Sequence, residues 1–407
     1  MKIQTRFQLS TMMFLEYFVW GAWYVTMGTY LGQTLKFDGL EIGIAYGAVA
    51  IGAMISPFFV GMIADRYFPS EKVLATMHLV GAALLYWLTQ VDSFSMFYPI
   101  LIGYTLCYMP TIALTNSISF AQMKDPGAEF PSVRVLGTFG WIIAGLTIGF
   151  LKVEDSTMMF YIAAVSSLIL GVYSLTLPHT PPKDKGKSVS FGDVIGLKSL
   201  ALFKDMSFSV FFLASLLICI PLSFYYNFTN LYLNELGMGN AAGKMTLGQL
   251  SEFGFLLVMP LFFKRLGVKK MLLVAMLAWA ARYVFFAIGN NDEMVWMLYA
   301  GIILHGICYD FFFVTGQIYV DNKAGEGIKS SAQGLITFAT YGLGMFIGSA
   351  VSGKVVKMYT YTGEADVIQH YWNPIWMVPA ALSVFVLIFF FLLFREKVNQ
   401  QAVNEES

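Results

Sequence analysis

The sequence predicts an all-α polytopic membrane protein with twelve transmembrane helices in two six-helix halves. Hydrophobic residues make up 57% of the 407 residues and charged residues only 12%, and the mean hydropathy is +0.66. Apolar runs long enough to cross a bilayer recur along the whole chain, which a soluble protein with a single core does not show. One long polar stretch, 179–205, falls near the midpoint and separates these runs into two groups of six.

The apolar runs, taken in order, give the helix boundaries. The first run follows a basic N-terminus, but it is long, contains Glu16 and lacks a small-residue cleavage site. We therefore interpret it as a retained helix and not as a signal peptide. Several runs contain an internal proline, which membrane helices tolerate. The predicted helices cover residues 9–32, 40–64, 72–91, 95–121, 134–152, 157–178, 206–234, 243–263, 269–288, 293–320, 331–353 and 373–394.

The distribution of basic residues predicts the orientation in the membrane. Nineteen of the 25 lysines and arginines fall on the side that carries both termini, five fall on the opposite side, and Arg282 lies within a span. Because Lys and Arg are enriched in cytoplasmic loops, we expect both termini in the cytoplasm. The formal net charge is zero, so it gives no indication of a nucleic-acid partner.

The polar stretch at the midpoint defines the domains. It predicts an N-terminal half at 1–178, a cytoplasmic linker at 179–205, a C-terminal half at 206–394 and a cytoplasmic tail at 395–407. A weak internal repeat supports this division: the second run, with Pro57, and the eighth run, with Pro260, are each followed by a basic loop that leads into the next helix. Two parallel six-helix repeats are typical of transporters that bind their substrate at mid-membrane between the halves.

Other functional classes find little support in the chain. Cys107, Cys219 and Cys308 lie in apolar runs without CxxC or Cys/His spacing, which argues against a metal site or a disulfide framework. An enzyme needs a nucleophile–base set or a phosphate loop, and the spacing of neither is present. A passive channel needs repeated pore-lining rings, whereas the charges here are scattered. We therefore expect a transporter, with no enzyme activity, catalytic residues or bound metal.

Two polar residues in the eighth run, Gln249 and Glu252, mark the strongest candidate site. They are three residues apart, so they share one face of a helix. A carboxylate in hydrocarbon is costly unless it is paired, hydrated or protonated. Glu252 is therefore a candidate for substrate binding or proton transfer. The alternative is a helix–helix hydrogen bond with no role in transport.

The segment GMIADR at the end of the second run resembles a known transporter motif. Its Gly61, Asp65 and Arg66 are similar to the loop between helices 2 and 3 of the major facilitator superfamily. The usual trailing Gly-Arg-Arg is replaced here by Tyr67-Phe-Pro-Ser. The motif supports the two-half architecture, in which access to the substrate site alternates as the halves rock.

Longer stretches in both halves resemble the bacterial nucleoside:proton symporters, the family of the nucleoside and xanthosine permeases. Examples are FVWGAWYVTMGTYLGQTLKFDGLEIG at 18–43, FPSVRVLGTFGWI at 130–142 and YDFFFVTGQIYVD at 309–321, and further stretches lie at 108–120, 249–273 and 331–360. The resemblance implies proton-coupled nucleoside uptake across a bacterial inner membrane, driven by the proton gradient without a cofactor. A symporter of a sugar or another small polar solute on the same fold is the alternative.

The resemblance also implies particular site residues. In helix 5, RVLGT matches the family's Arg-x-x-Gly-Thr and gives Arg134 and Thr138 as polar contacts, with Trp141 where an aromatic is expected. Their spacing places the three on one helix face. In helix 8 the matching pair is Gln249 and Glu252, as ligands for ribose hydroxyls or the base edge. Arg134 is interpreted as a residue at a helix mouth that could pair alternately with Glu252.

Helices 7 and 10 complete the implied site. In helix 10, HGICYDFF offers Tyr309 as a stacking aromatic and Asp310 as a second membrane carboxylate. Helix 7 departs from the family pattern, since Ser223 and Tyr226 stand where Gln and Asn are expected, with Asn227 adjacent. Purine, pyrimidine and xanthosine preference therefore stay open.

Several further questions stay open at the level of sequence. We expect Glu252 to accept the coupled proton; the alternative is that Glu252 only binds substrate and that Asp310 or Glu16 carries the proton. Glu16 is either an addition particular to this chain or a residue that snorkels towards the cytoplasmic end of its helix. His305 is given no role. We expect a monomer in the lipid bilayer.

Overall fold

The computed structural model describes residues 1–182, 197–325, 328–363 and 368–395. We number the membrane helices 1 to 12 in chain order. Helix 1 combines Ile3–Gly21, Met27–Thr29 and the π-helical turn Tyr30–Thr34. Helices 2 to 6 are Gly39–Arg66, Ser70–Leu88, Phe94–Ala121, Pro126–Leu151 and Met158–Ser174.

The second set of six helices follows a 3-10 helix at Leu197–Lys204. Helix 7 is Met206–Glu235, and helices 8 and 9 lie within Ala241–Ile288, on either side of a kink at Gly267. Helix 10 consists of Val295–Ile303, His305–Tyr309, the π-helical turn Asp310–Val314 and Thr315–Lys323. Helix 11 consists of Lys329–Thr337, the π-helical segment Phe338–Gly344 and Met345–Met358. Helix 12 is Trp372–Leu393.

The twelve predicted segments all fall on these helices. Within the described residues, eight helices are long and apolar enough to cross a membrane, and one of them, Ala241–Ile288, holds two predicted spans. The two spans meet at Gly267, whose φ of 67° lies in the left-handed region that favours glycine. A short antiparallel hairpin that the sequence did not predict, Thr360–Thr362 with Ile368–His370, connects helices 11 and 12.

The predicted start of helix 5 at residue 134 is wrong. The helix begins at Pro126, because Asp125 accepts a hydrogen bond from the Ala128 backbone N–H at 3.2 Å and proline suits the first helical position. The segment 126–134 contains Glu129, Ser132 and two prolines, so it does not form an apolar run that predicts a membrane helix. Arg134 therefore lies more than two turns inside the helix and not at its mouth.

The two halves contact each other closely along helices 2 and 11. A Cβ atom added to Gly43 of helix 2 would lie 2.3 Å from the Ser349 carbonyl oxygen of helix 11. At the start of helix 2, the Asp38 carboxylate pairs with the Lys357 ammonium at 2.8 Å. These contacts lie at the end of the molecule opposite the two termini, where the halves are held together.

Parts of the predicted domain scheme lie outside the described residues. These parts are 183–196 of the linker and 396–407 of the tail. The described start of the linker is attached to helix 3, because the Thr180 backbone N–H donates to Glu71 at 3.0 Å. The domain boundaries themselves stay predictions. The side chains of Gly61, Asp65 and Arg66 are likewise not described, although the backbone of this motif is helical.

Candidate functional site

A pocket lies between the two halves in the middle of the helix assembly. Residues from helices 1 and 5 of the first half meet residues from helices 7 and 8 of the second half around it. Three of the predicted site residues, Trp141, Tyr226 and Gln249, are among them. The lining consists of Gly21, Val25, Thr26, Trp141, Gly145, Tyr225, Tyr226, Ala242, Met245, Thr246 and Gln249.

Aromatic rings form one wall of this pocket. The Trp141 ring packs edge-on against Trp20 with centroids 5.3 Å apart, and it is 6.2 Å from the ring of Tyr24. Tyr24 in turn lies 5.7 Å from Tyr226 of the second half. Such offset and edge-on arrangements are the preferred geometries of aromatic pairs, so the cluster holds its rings in defined positions. Trp141 of the first half and Tyr226 of the second therefore line the pocket as parts of one aromatic cluster.

Arg134 is held by an aromatic ring of its own half. Its guanidinium carbon lies 4.2 Å from the ring centroid of Tyr17 in helix 1. Among the described residues, no carboxylate oxygen lies within ion-pairing distance of Arg134, so the hypothesised pair with Glu252 is not formed in this conformation. The positive charge is nevertheless close enough to act on Glu252 electrostatically. Thr138, one turn further on, is half-buried.

Glu252 faces helix 10 across a narrow gap. Its side chain is 30% exposed, and its Oε2 atom lies 3.9 Å from Nε2 of His305. The backbones of helices 8 and 10 are very close here, since a Cβ atom added to Gly306 would lie 2.6 Å from the Glu252 nitrogen. Ser251 strengthens the contact by donating to the Ile303 carbonyl oxygen at 2.7 Å and accepting from the Gly306 N–H at 3.0 Å. The position of Glu252 relative to helix 10 is therefore fixed.

Tyr309 and Asp310 lie where helix 10 changes to a π-helical turn. The hydroxyl groups of Tyr309 and Tyr341 of helix 11 are hydrogen-bonded to each other. Asp310 is buried, and its Oδ2 atom has no hydrogen-bond partner among the described residues. The charges of Asp310 and Glu252 are close enough to repel each other. π-helical turns occur frequently at functional sites, and this one places two carboxyl groups in one electrostatic environment.

The structure does not bring Ser223 and Asn227 into the pocket. The Ser223 hydroxyl donates to the Cys219 carbonyl oxygen of its own helix at 2.9 Å. The Asn227 amide donates to Ser349 and Ser352 of helix 11 at 3.2 Å each. Both side chains thus lie in the packing interface between helices 7 and 11. Tyr226, on another face of helix 7, is the residue of this predicted set that lines the pocket.

Glu154, which the sequence analysis did not single out, joins the two halves. It lies in the connection between helices 5 and 6 and is 5% exposed. Its carboxylate accepts hydrogen bonds from the side-chain amides of Asn230 and Asn234 in helix 7, at 2.8 and 2.9 Å, and from the Ala242 N–H at 3.2 Å. The two asparagines at i, i+4 in a membrane helix were the available signal, but nothing in the sequence connected them to Glu154.

Glu16 is paired inside the first half. Its Oε2 atom lies 2.9 Å from Nε2 of His78 in helix 3, and Thr111 of helix 4 donates to its Oε1 at 2.6 Å. The opposite ring nitrogen of His78 lies 3.0 Å from the Ser167 hydroxyl in helix 6. Glu16 is completely buried, so the alternative that it snorkels to the cytoplasmic end is wrong. A carboxylate enclosed by polar partners has no need to reach water.

Comparisons with known proteins show the family and the fold of the chain. A family model described as "Nucleoside H+ symporter" matches residues 1–399. The chain is 44% identical to YegT of Escherichia coli (strain K12), covering 98% of this chain and 96% of the relative. It is 34% identical to the xanthosine permease of the same organism, covering 98% and 99%. A crystal structure of the nucleoside transporter NupG superposes with a TM-score of 0.88 at 32% identity, covering 97% of this chain and 100% of that one.

Proposed function

The chain belongs to the nucleoside H⁺ symporter family, and on that premise we propose that nucleoside binds in the pocket between the halves while Glu252 carries the coupled proton. The protein is a multi-pass membrane transporter with the major facilitator fold, and it is not an enzyme. It takes up nucleosides together with protons. The single observation that carries the proposed site is the pocket itself, which places Trp141 of one half opposite Tyr226 and Gln249 of the other.

The chemistry of a nucleoside fits this set of side chains. The base offers a flat face, which suits the rings of Trp141, Tyr226 and Tyr309. The ribose offers hydroxyl groups that both donate and accept, which suit the Gln249 amide, the Thr138 hydroxyl and the Glu252 carboxylate. Arg134 adds donors for a base carbonyl. Ligands from both halves allow the substrate to stay bound while the halves move relative to each other.

Coupling requires that proton and nucleoside favour each other's binding. Glu252 suits this role because it is partly exposed, lies next to the pocket residue Gln249 and interacts with the charge of Arg134 from the opposite half. Rocking of the halves changes the distance between Arg134 and Glu252 and with it the free energy of the ionised carboxylate. Asp310 is the rival proton carrier, since its charge and that of Glu252 disfavour each other.

Alternating access follows from where the halves are joined. Glu154 and the Asp38–Lys357 pair close the end of the molecule opposite the termini. Substrate that enters from this end reaches the pocket only after these contacts break. We place both termini in the cytoplasm of a bacterial cell with the protein in the inner membrane, on the basis of the basic-residue asymmetry. In this orientation the closed end is the outer one. We also propose that the protein acts as a monomer.

The test is uptake of labelled uridine into transport-deficient cells that express the protein. Competition by a panel of nucleosides, free bases and sugars separates nucleoside transport from the alternative of a sugar symporter. Glu252→Gln should abolish pH-driven accumulation and leave counterflow exchange measurable, because the amide keeps the shape but does not ionise. Glu293→Gln in the exposed loop between helices 9 and 10 is the matched control. A Glu252→Gln protein that still concentrates uridine and responds to external pH contradicts the assignment of Glu252.

A further inference from the structure

Arg282 in helix 9 is an unusual residue for the interior of a membrane protein. Its side chain is completely buried, and its guanidinium carbon lies 3.3 Å from the ring centroid of Tyr225. Its Nε and Nη2 atoms have no hydrogen-bond partner among the described residues. A buried cation is costly unless something compensates it, so such a residue in a membrane span indicates a functional role. The function proposed above makes no use of it.

The hydrogen bond between Arg282 and His305 determines where His305 carries its proton. Nη1 of Arg282 lies 3.2 Å from Nδ1 of His305. A guanidinium only donates hydrogen bonds, so Nδ1 must be the acceptor and carries no proton. The neutral imidazole therefore has its proton on Nε2. The adjacent fixed positive charge also disfavours a second proton on the ring.

The protonated nitrogen of His305 is directed at Glu252. Nε2 lies 3.9 Å from the Glu252 Oε2 atom, which is longer than a hydrogen bond, and it has no other partner among the described residues. The ring is held in place by stacking on Tyr225, with centroids 5.2 Å apart and planes 21° apart. His305 is 1% exposed, so bulk solvent does not reach this donor. A small movement of the Glu252 side chain is enough to form the missing hydrogen bond.

We propose that Arg282 and His305 are positioning residues for proton coupling, in which Arg282 keeps His305 as the neutral Nε2–H tautomer and His305 donates to Glu252 when Glu252 is ionised. The inference rests on the proposed role of Glu252 as the proton carrier. When Glu252 is protonated it needs no donor, and the gap of 3.9 Å stays open. When Glu252 releases its proton, the Nε2–H group stabilises the carboxylate without itself gaining or losing a proton.

Other titratable groups also lie close enough to Glu252 to interact with its charge. Their charges or hydroxyl groups act from helices 5, 7, 10 and 11. These groups are unchanged in a His305 variant, so a change in the pH response of that variant is attributable to the loss of the Nε2–H donor. These groups are Arg134, Tyr225, Tyr226, Tyr309, Asp310 and Tyr341.

The test is the pH profile of uridine uptake in His305→Phe and His305→Gln. Phenylalanine keeps the ring and removes the donor, so Glu252 holds its proton to higher pH and the midpoint of the profile should rise by about one pH unit. Glutamine carries an amide donor near the position of Nε2 and should restore most of the shift. Counterflow exchange, which needs folding and binding but no net proton movement, should be retained in both variants.

Arg282 is tested through its effect on His305. Arg282→Lys still only donates and should keep the wild-type midpoint. Arg282→Gln can also accept, which allows His305 to adopt the Nδ1–H tautomer and present a lone pair to Glu252, so its midpoint should rise. In the His305→Phe background, Arg282→Gln should add no further shift. A variant without counterflow is not folded or does not bind uridine, so the roles of Arg282 and His305 are then judged from the other His305 and Arg282 variants.

The outcomes separate this inference from the proposed function. A wild-type midpoint in His305→Phe, together with loss of accumulation in Glu252→Gln, overturns the role of His305 and leaves Glu252 as the proton carrier. Continued accumulation in Glu252→Gln overturns the proposed function itself. Equal shifts from Arg282→Gln in the wild-type and His305→Phe backgrounds overturn the claim that Arg282 acts through His305.

Discussion

Glu154 of the first half accepts a hydrogen bond from the side-chain amide of Asn230 in the second half at 2.8 Å, in a site that is closed to solvent. Asn230 is itself fixed, because its Oδ1 atom accepts from Thr29 of helix 1 at 2.5 Å. A buried carboxylate loses much free energy when its donors are removed, and opening the halves at this end replaces those donors with water. Glu154 is thus the residue whose surroundings change most when this end opens.

Replacing Glu154 should favour the conformation that is open at this end. Glu154→Ala removes the acceptor for three donors and should increase the population of the opened state by about tenfold or more, since each 1.4 kcal/mol corresponds to a factor of ten. The measurement is the rate at which an impermeant thiol reagent, added from outside, modifies a cysteine introduced at Thr246 in the pocket. Asp155→Asn is the neighbouring control. Equal rates in Glu154→Ala and the parent protein contradict the prediction.

The aromatic rings of the pocket should contribute directly to nucleoside affinity. Trp141→Ala and Tyr309→Ala should each weaken apparent affinity for uridine by about 1–3 kcal/mol, the range for base–aromatic stacking in nucleic-acid binders. Tyr309→Phe keeps the ring and loses only the hydrogen bond to Tyr341, so it should stay close to wild type. Phe139→Ala, an exposed residue of helix 5, controls for effects on membrane expression. Normal transport in both alanine variants would place the site elsewhere.

Asp310→Asn should change the pH response of uptake without preventing folding. The amide keeps the shape of the side chain but removes a charge that interacts with Glu252. Because two interacting carboxyl groups titrate as a pair, removing Asp310 leaves Glu252 to titrate alone, and the midpoint of the uptake profile should shift. Asp292→Asn in the exposed loop is the control. An unchanged profile would show that Asp310 takes no part in coupling.

The Glu16–His78 pair should stabilise the first half and take no part in coupling. Its partners come from helices 3, 4 and 6 and all lie in the first half, so rocking of the halves leaves them in place. Removing one member of a buried pair costs about 3–5 kcal/mol, so His78→Ala should lower the midpoint of thermal unfolding by several degrees. Glu16→Gln should keep pH-driven accumulation. Loss of accumulation in a stable Glu16→Gln protein would assign it a role in proton movement.

Both termini should lie in the cytoplasm. The prediction rests on the excess of basic residues in the loops on that side, which holds even if Arg134, now placed inside helix 5, is left out. A reporter that is active only in the cytoplasm should be active when fused after Ser407, and one that is active only outside should be silent. If the reporters instead place the C-terminus outside, the closed end of the molecule, with Glu154 and the Asp38–Lys357 pair, would face the cytoplasm.

The amino-acid sequence determined the class of the protein, because the bilayer restricts the possible structures. A polypeptide in hydrocarbon must satisfy its backbone hydrogen bonds within each span, so apolar length alone identified the helices. Helix boundaries were harder to predict where a helix begins with polar residues. Helix 5 begins at Pro126, capped by Asp125, eight residues before its predicted apolar run. The resemblance of longer stretches in both halves to the nucleoside:proton symporters supplied the substrate class. Gln249 and Glu252 stood out as site residues because they are polar where lipid demands apolar ones.

The tertiary structure decided which polar residues meet. Ser223 and Asn227 are one turn apart in sequence and lie against helix 11, whereas Tyr226 on another face of helix 7 lines the pocket. Glu154 meets Asn230 across 76 positions of chain, and His305 lies between Arg282 and Glu252. Periodicity fixes which residues share a face of one helix, but the partner of that face depends on how twelve helices pack. That packing depends on close contacts between different helices, such as Gly43 with Ser349 and Gly306 with Glu252. The sequence of one helix does not show which residues of another helix it will contact.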